Sequence, residues 1–333
     1  MRVWVGHWFS TAYHFINSLK ESGAYVIASN YRDTCVYKTN ADEFYIEPEI
    51  LDDKEYIDYC LDFCKEHNVE LILPRKHIKA MSLNKDKFAE IGVKLVCEDS
   101  VDVYELFESK LKTASYFKDF DGFLVPEQIG VKTLKEFKDA YKELQERYGL
   151  VCIKQDIDEG GQSYKLISER APKLERLREN NGLIYSYDYI CSCLNCADSF
   201  STQVLMPYLN GVEISVDCLG VDSEHFYAVP RQKLSNRVTR LEPNSKLFSI
   251  CKEFWERTGL KCPFNVQFRY HNDALYLLEV NLRLSGGSWK AKEVGVDFIK
   301  LLYNYYLGLD LPKINCNNFT RCDLSNIEGC IKL

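Results

Sequence analysis

The chain has 333 residues, 46% hydrophobic and 27% charged, an ordinary globular composition at a length that supports two or three cores. A formal net charge of −7 gives no footing for nucleic acid or an anionic membrane as the main partner, and no apolar run reaches the length of a membrane span. Fourteen cysteines in so long a chain read mainly as small buried hydrophobes in a reducing, cytoplasmic setting, and Met1–Gly6 reads as a strand rather than a leader.

The first hundred residues alternate strands and amphipathic helices. Strands are expected at Arg2–Gly6, Tyr25–Ser29, Val69–Leu73 and Val93–Cys97, with helices at Thr11–Glu21, Asp52–His67 and Ile78–Ile91. This rhythm predicts a parallel sheet with right-handed crossovers. Loops at the carboxyl ends of such strands face ligands, which singles out Gly6-His7-Trp8 and Pro74-Arg75-Lys76-His77. No G-x-G-x-x-G follows the first strand, which argues against a dinucleotide.

Beyond Asp99 come helices at Val101–Phe107, Lys110–Lys118 and Thr133–Tyr148, and a short strand near Phe123–Val125. Strands at Leu150–Gln155 and Ser163–Ile167 flank an acidic, glycine-containing loop, and three more follow at Ser201–Met206, Val212–Val221 and His225–Pro230. A helix over Pro243–Thr258 precedes a β-hairpin, and a late helix covers Phe298–Leu307.

The hairpin is the most informative stretch. Its arms run from Phe264 to Tyr270 and from Ala274 to Arg283, joined by His271-Asn272-Asp273. Alternation puts Asn265, Gln267 and Arg269 on one face of the first arm, and Glu279, Asn281 and Arg283 on one face of the second. With an odd-length loop the two sets share a side, so a carboxylate, two amide oxygens and a guanidinium converge. That set suits Mg²⁺ sharing its shell with phosphates; a plain polar outer face is the weaker reading.

Other constellations are individually modest. Lys154 in mid-strand, followed by Gly160-Gly161-Gln-Ser163, fits phosphate binding through charge and backbone N–H groups, while a surface lysine beside a hairpin turn fits as well. Met206-Pro-Tyr-Leu209 breaks a sheet and exposes backbone to an adenine edge, and Glu213 begins the next strand where a carboxylate can meet ribose hydroxyls. Arg231, Lys233, Arg237 and Arg240 fit either a carboxylate or phosphoryl group in a cleft or a solvated loop. Cys191, Cys193 and Cys196 lack a fourth zinc ligand at finger spacing, so a flexible cysteine-containing stretch is expected there.

In their order along the chain these pieces resemble the ATP-grasp superfamily, in particular its carbamoyl-phosphate-synthetase-like and carboxylate–amine ligase members. Glu108-Ser-Lys110 is similar to the family's segment carrying a phosphate-binding lysine, and Lys154 with Gly160, Gly161 and Ser163 to its second lysine and mobile glycine loop. Met206 to Leu209 is similar to the hinge that reads adenine, Glu213 to the ribose-binding glutamate, and Gln267, Glu279 and Asn281 to the metal ligands. The resemblance makes Arg283 and Lys154 catalytic, and Arg75, Arg231 and Arg237 candidates for substrate contact. It implies an α/β and α+β architecture, with a parallel-sheet domain at 1–98 followed by a two-lobed ATP-grasp domain. The latter comprises linker helices and a lid at 99–205 and a metal-bearing subdomain at 206–315; 316–333 is unassigned.

The implied cofactors are ATP with one or two Mg²⁺ or Mn²⁺ ions. The implied reaction activates a small carboxylate as an acyl-phosphate and joins it to an amine or another nucleophile, with small-molecule partners and a homodimer as the default assembly. A phosphotransferase and a non-catalytic nucleotide-binding regulator are the alternatives. Departures from the pattern are Gln155 where proline is frequent, Met206 where an acid is common, and the neutral Gln267, which lowers the charge at the metal site.

Overall fold

The computed structural model describes residues 1–49, 52–158, 163–168 and 183–327, and these form two compact units. The first comprises Met1–Tyr104, Ile214–Gln267 and Val280–Leu333; the second comprises Glu105–Glu213 and Phe268–Glu279.

The first unit opens with a five-stranded parallel sheet. Its strands are β1 (Arg2–Gly6), β2 (Tyr25–Asn30), β3 (Glu43–Ile46), β4 (Leu71–Leu73) and β5 (Lys94–Leu95), in the order β3-β2-β1-β4-β5. The order reverses between β1 and β4, so the loops after those strands flank the switch point where ligands of open α/β sheets bind. Crossover helices are α1 (Ala12–Glu21), α2 (Asp53–His67), α3 (Ile78–Leu83) and α4 (Lys85–Glu90). α2 starts on a capping box: Asp52 accepts from the Glu55 N–H, and the Glu55 carboxylate accepts from the Asp52 N–H. The single helix expected over Ile78–Ile91 is two, divided at Asn84.

One sheet face buries Trp4, Ile27 and Ile72 beneath Ile57, Cys60, Phe63 and Phe88. The other buries Val3, Val5, Val26 and Ala28 in one core with α1 and with Leu219, Val229 and Phe298–Tyr303. Those partners belong to a six-stranded sheet and its helices. Its strands are β11 (Glu213–Gly220), β12 (Phe226–Lys233), β13 (Val238–Leu241), β14 (Phe264–His271), β15 (Ala274–Asn281) and β16 (Cys322–Ser325), ordered β15-β14-β11-β12-β13-β16. α9 (Ser245–Thr258), capped by Asn244 and closed by Gly259, and α10 (Phe298–Leu307), capped by Asp297, pack in the same unit. β16 gives a structural role to part of the tail after Asn315: it pairs with β13, and Arg240 bridges to Asp323 at 2.8 and 2.9 Å.

The second unit holds the order β6-β10-β7-β8-β9, made of β6 (Ile129–Val131), β7 (Val151–Gln155), β8 (Lys165–Ile167), β9 (Ile184–Tyr185) and β10 (Gln203–Pro207). Helices α5 (Val101–Glu108) and α6 (Lys110–Tyr116) lead into it, and α7 (Leu134–Tyr148) covers it. The strand expected at Phe123–Val125 is only a bridge from Leu124 to Tyr276. Cys191, Cys193 and Cys196 do not lie in a flexible stretch as expected: the first two sit on helix α8 (Tyr187–Leu194), capped by Ser186, and the third just beyond it. Among the described residues no group of three or more His, Cys, Asp or Glu is assembled to hold a metal.

Candidate active site

Lys154 occupies β7, the middle strand of its sheet, in register with Val204. Lys110 opens α6 just after the cap Ser109. Both are buried, at 8% and 7% exposure, and burial followed by the neighbouring Lys110 pushes Lys154 down to about 8. Among the described residues the Lys154 ammonium has neither a hydrogen bond nor an ion pair, while Lys110 Nζ donates only to the Asp156 carbonyl oxygen at 3.1 Å. Two adjacent buried ammonium groups without a bound carboxylate are costly unless an anion completes them.

The acids that crowd this loop in the sequence are occupied elsewhere. The Asp156 carboxylate accepts from Ser109 Oγ at 2.8 Å and from the Leu111 N–H at 2.9 Å, fixing the start of α6. Asp158 accepts from the backbone and hydroxyl of Ser163 at 2.9 and 2.6 Å, so that hydroxyl closes the loop base. Gly160 and Gly161 lie outside the described residues.

Next to Lys154 on the same strand, Cys152 forms a small apolar cluster with Met206 and Leu209, flanked by Tyr164, Tyr276 and Leu278. Set apart from the main core of the unit, these apolar side chains suit contact with a flat heteroaromatic ring. The hinge carbonyls are partly engaged: Cys152 Sγ approaches Met206 O at 3.5 Å, and Arg269 Nη1 donates to Leu209 O at 3.0 Å. Arg269 also pairs with Glu213. It therefore ties the hinge to the predicted ribose carboxylate, a role its place in the sequence did not signal.

The hairpin departs from the expected geometry. Only Asn272 and Asp273 form the turn, both at positive φ (48° and 61°), so the loop has two residues and pairs odd positions with even ones. By that register alone Gln267 would face with Leu278 and oppose Glu279. The burial pattern corrects it: Leu275 and Leu277 are buried, then Val280, Leu282 and Leu284. The alternation slips by one residue at Leu278–Glu279, as a β-bulge does, and turns Glu279, Asn281 and Arg283 away from the core. Gln267 is likewise half-buried between the buried Val266 and Phe268. Asn265 does not join that row: it is 1% exposed and donates to Asp217 Oδ1 at 2.8 Å.

The basic cluster divides. Arg231 on β12 is clamped to the buried Asp217 and donates from Nη2 to Ser285 Oγ at 2.8 Å, while Ser285 donates to Asp217 at 2.6 Å. Arg237 is exposed on the β12–β13 turn. Arg75 stacks its guanidinium over Phe9 at 4.9 Å. Trp8 belongs to the core, 5% exposed with Nε1 bonded to Leu73 O at 3.1 Å, so it is not a free specificity side chain. His7 is held at φ 57°, stacks on Tyr31, and sets Nδ1 3.6 Å from the buried Glu47.

Comparison with known proteins finds similarity over two stretches of the chain. Residues 199–330 match the family model described as ATP-grasp in the biosynthetic pathway with Ter operon, and residues 5–96 match the PylC-like N-terminal domain. Residues 199–330 are thus similar to an ATP-grasp domain and residues 5–96 to a PylC-like N-terminal domain, in agreement with the resemblance read from the motifs. No sequence among the curated proteins matches it.

Its fold is similar to the biotin carboxylase domain of 2-oxoglutarate carboxylase from Hydrogenobacter thermophilus, solved as a dimer with MgADP, ADP and bicarbonate. The TM-score is 0.69 at 19% identity over 97% of this chain and 73% of that one. N5-carboxyaminoimidazole synthetase from Staphylococcus aureus with ADP gives 0.69 at 14% identity, over 94% and 78%. Biotin carboxylase from Campylobacter jejuni gives 0.69 at 15%, over 93% and 72%.

Proposed function

We propose that this protein is an ADP-forming ATP-grasp ligase that activates a small carboxylate and joins it to an amine or another nucleophile. The observation that carries the reading is the pair of buried lysines, Lys110 and Lys154, to which no carboxylate of the described residues is bonded, together with the apolar cluster of Cys152, Met206 and Leu209. In this reading the two ammonium groups hold the phosphates of ATP. Met206 and Leu209 with Cys152 and Tyr164 take the purine, and Glu213, held by Arg269, meets the ribose.

Gln267, Glu279 and Asn281 fit a hard cation: one carboxylate and two amide oxygens leave coordination places for phosphate oxygens. Bound there, Mg²⁺ supplies charge neutralisation as the γ-phosphoryl group moves. Arg283 stabilises the charge on that group. The substrate carboxylate oxygen bonds to the γ-phosphorus while the bond to the bridging oxygen breaks and ADP leaves. The nucleophile's nitrogen then bonds to the acyl carbon, loses its proton, and phosphate departs. The ADP and MgADP held by similar folds support the nucleotide and the metal. Thirteen free thiols among the described cysteines support a cytoplasmic setting, and the dimeric 2-oxoglutarate carboxylase domain supports a homodimer here.

The test is incubation with ATP, Mg²⁺ and a panel of small acids and amines. ADP with free phosphate and a new amide supports the ligase. ADP with a stable phosphorylated product replaces it by a phosphotransferase, and ADP binding without turnover on any pair replaces it by a nucleotide-responsive regulator.

A further inference from the structure

Lys290 is 7% exposed and carries a charge that no carboxylate of the described residues meets. Its Nζ donates to Thr239 Oγ1 at 2.7 Å and lies 5.6 Å from the Trp289 ring centre, both neutral neighbours. A second cation belongs to the same neighbourhood: the Lys290 N–H bonds to Gly287 O at 3.1 Å, Gly287 lies against the Arg231 guanidinium, and burial and then Arg231 push the Lys290 ammonium below its ordinary value. Arg231 is itself spoken for on one edge only. Nε and Nη2 are fixed by Asp217 and Ser285, whereas Nη1 has no hydrogen bond among the described residues.

The chain around this pair is shaped for close approach. A Cβ on Gly287 would fall 2.4 Å from Arg231 Nη1, so only glycine leaves the guanidinium where it is. A Cβ on Gly286 would sit 3.8 Å from Thr11 Oγ1, a buried hydroxyl without a hydrogen-bond partner at the first turn of α1. Thr11 serves as N-cap without a side-chain capping bond, and the first N–H groups of α1 are met by the carbonyls of Phe9, Ser10 and Thr11, which leaves the hydroxyl free for another partner.

We propose that Lys290 and Arg231, with the Thr11 hydroxyl, bind an oxyanionic group of the substrate, a carboxylate or a phosphate. Asp217 balances one of the two positive charges, so a single anion completes the site, and the neutral groups around it supply directional donors. The assignment of that anion to the substrate rests on the ligase reading; the anion site itself does not.

The experiment is calorimetric titration of the full chain with inorganic phosphate and, separately, with succinate, alongside MgADP. Wild type binds at least one anion, and Lys290→Met weakens that binding about ten- to hundredfold while leaving MgADP affinity unchanged. Phosphate alone marks a phosphorylated substrate and succinate alone a polycarboxylate; either supports the site. Unchanged anion binding in Lys290→Met, or no binding of either anion by wild type up to about 10 mM, overturns it. If Lys290→Met does not fold, Lys290→Gln, which keeps a donor to Thr239, is read by the same criteria. Anion binding without MgADP binding would remove the ligase reading and keep the site; MgADP binding without anion binding would do the reverse.

Discussion

Lys154 shows how one residue's surroundings decide its chemistry. In an exposed strand its ammonium would stay charged and solvated; in β7 it is 8% exposed beside Lys110 and poised near pH 8. Its folded value is lowered, so the free protein holds the charge below about 8 and loses it as pH rises. Nucleotide affinity should therefore fall above pH 8 and flatten in Lys154→Arg, with MgADP titrations at several pH values as the check. Lys154→Ala should raise the MgADP dissociation constant about ten- to hundredfold, the worth of a charged hydrogen bond; an unaltered titration returns Lys154 to a structural role. Glu279→Ala should keep the fold, seen by circular dichroism, and abolish ADP formation, and unchanged ADP release would remove the metal assignment. The residue types of Lys154, Gln267, Glu279 and Asn281 were readable in sequence. Arg269 was not, because its partners Leu209 and Glu213 lie about sixty residues away and only the folded chain brings them within reach.

At the scale of elements, caps and turns were legible where a local hydrogen bond fixes them. The start of α2 at Asp52 and the Thr133 cap of α7 follow from side chains three residues apart. The hairpin was legible as a hairpin but not in register: the phase slip at Leu278–Glu279 is set by what each side of β15 packs against, and no local signal carries it. The short strands β3, β6 and β9 escaped for the same reason, having few residues and borrowed stability. Two substitutions test such borrowed order. Asp156→Ala removes the acceptor of Ser109 and Leu111 and should cost about 1–3 kcal/mol in urea unfolding, with weaker MgADP binding as Lys110 loses its seat. Gly211→Ala would place a Cβ 1.9 Å from the Tyr270 carbonyl oxygen, so the strand must move; a loss of stability without any loss of MgADP affinity would show that the hinge tolerates the shift.

For the molecule as a whole, the parallel sheet of the first hundred residues is not self-sufficient. One of its faces shares a core with Leu219, Val229 and Phe298–Tyr303, more than a hundred residues later in the chain. Met1–Tyr104 expressed alone should expose that face and aggregate, and a monodisperse, cooperatively folded fragment by gel filtration and thermal melting would contradict it. The strand–helix rhythm and the polar residue types of the hairpin were determined by sequence alone, because each rests on spacing within a few residues, while the ATP-grasp resemblance came from the order of whole segments along the chain. Tertiary structure decided the remainder. It buried Lys154 beside Lys110, split the basic cluster so that Arg231 turned inward to Asp217 and Arg240 outward to Asp323, and buried Lys290 against Thr239. Desolvation and long-range charge depend on which distant segments meet, and a linear pattern contains no record of that meeting.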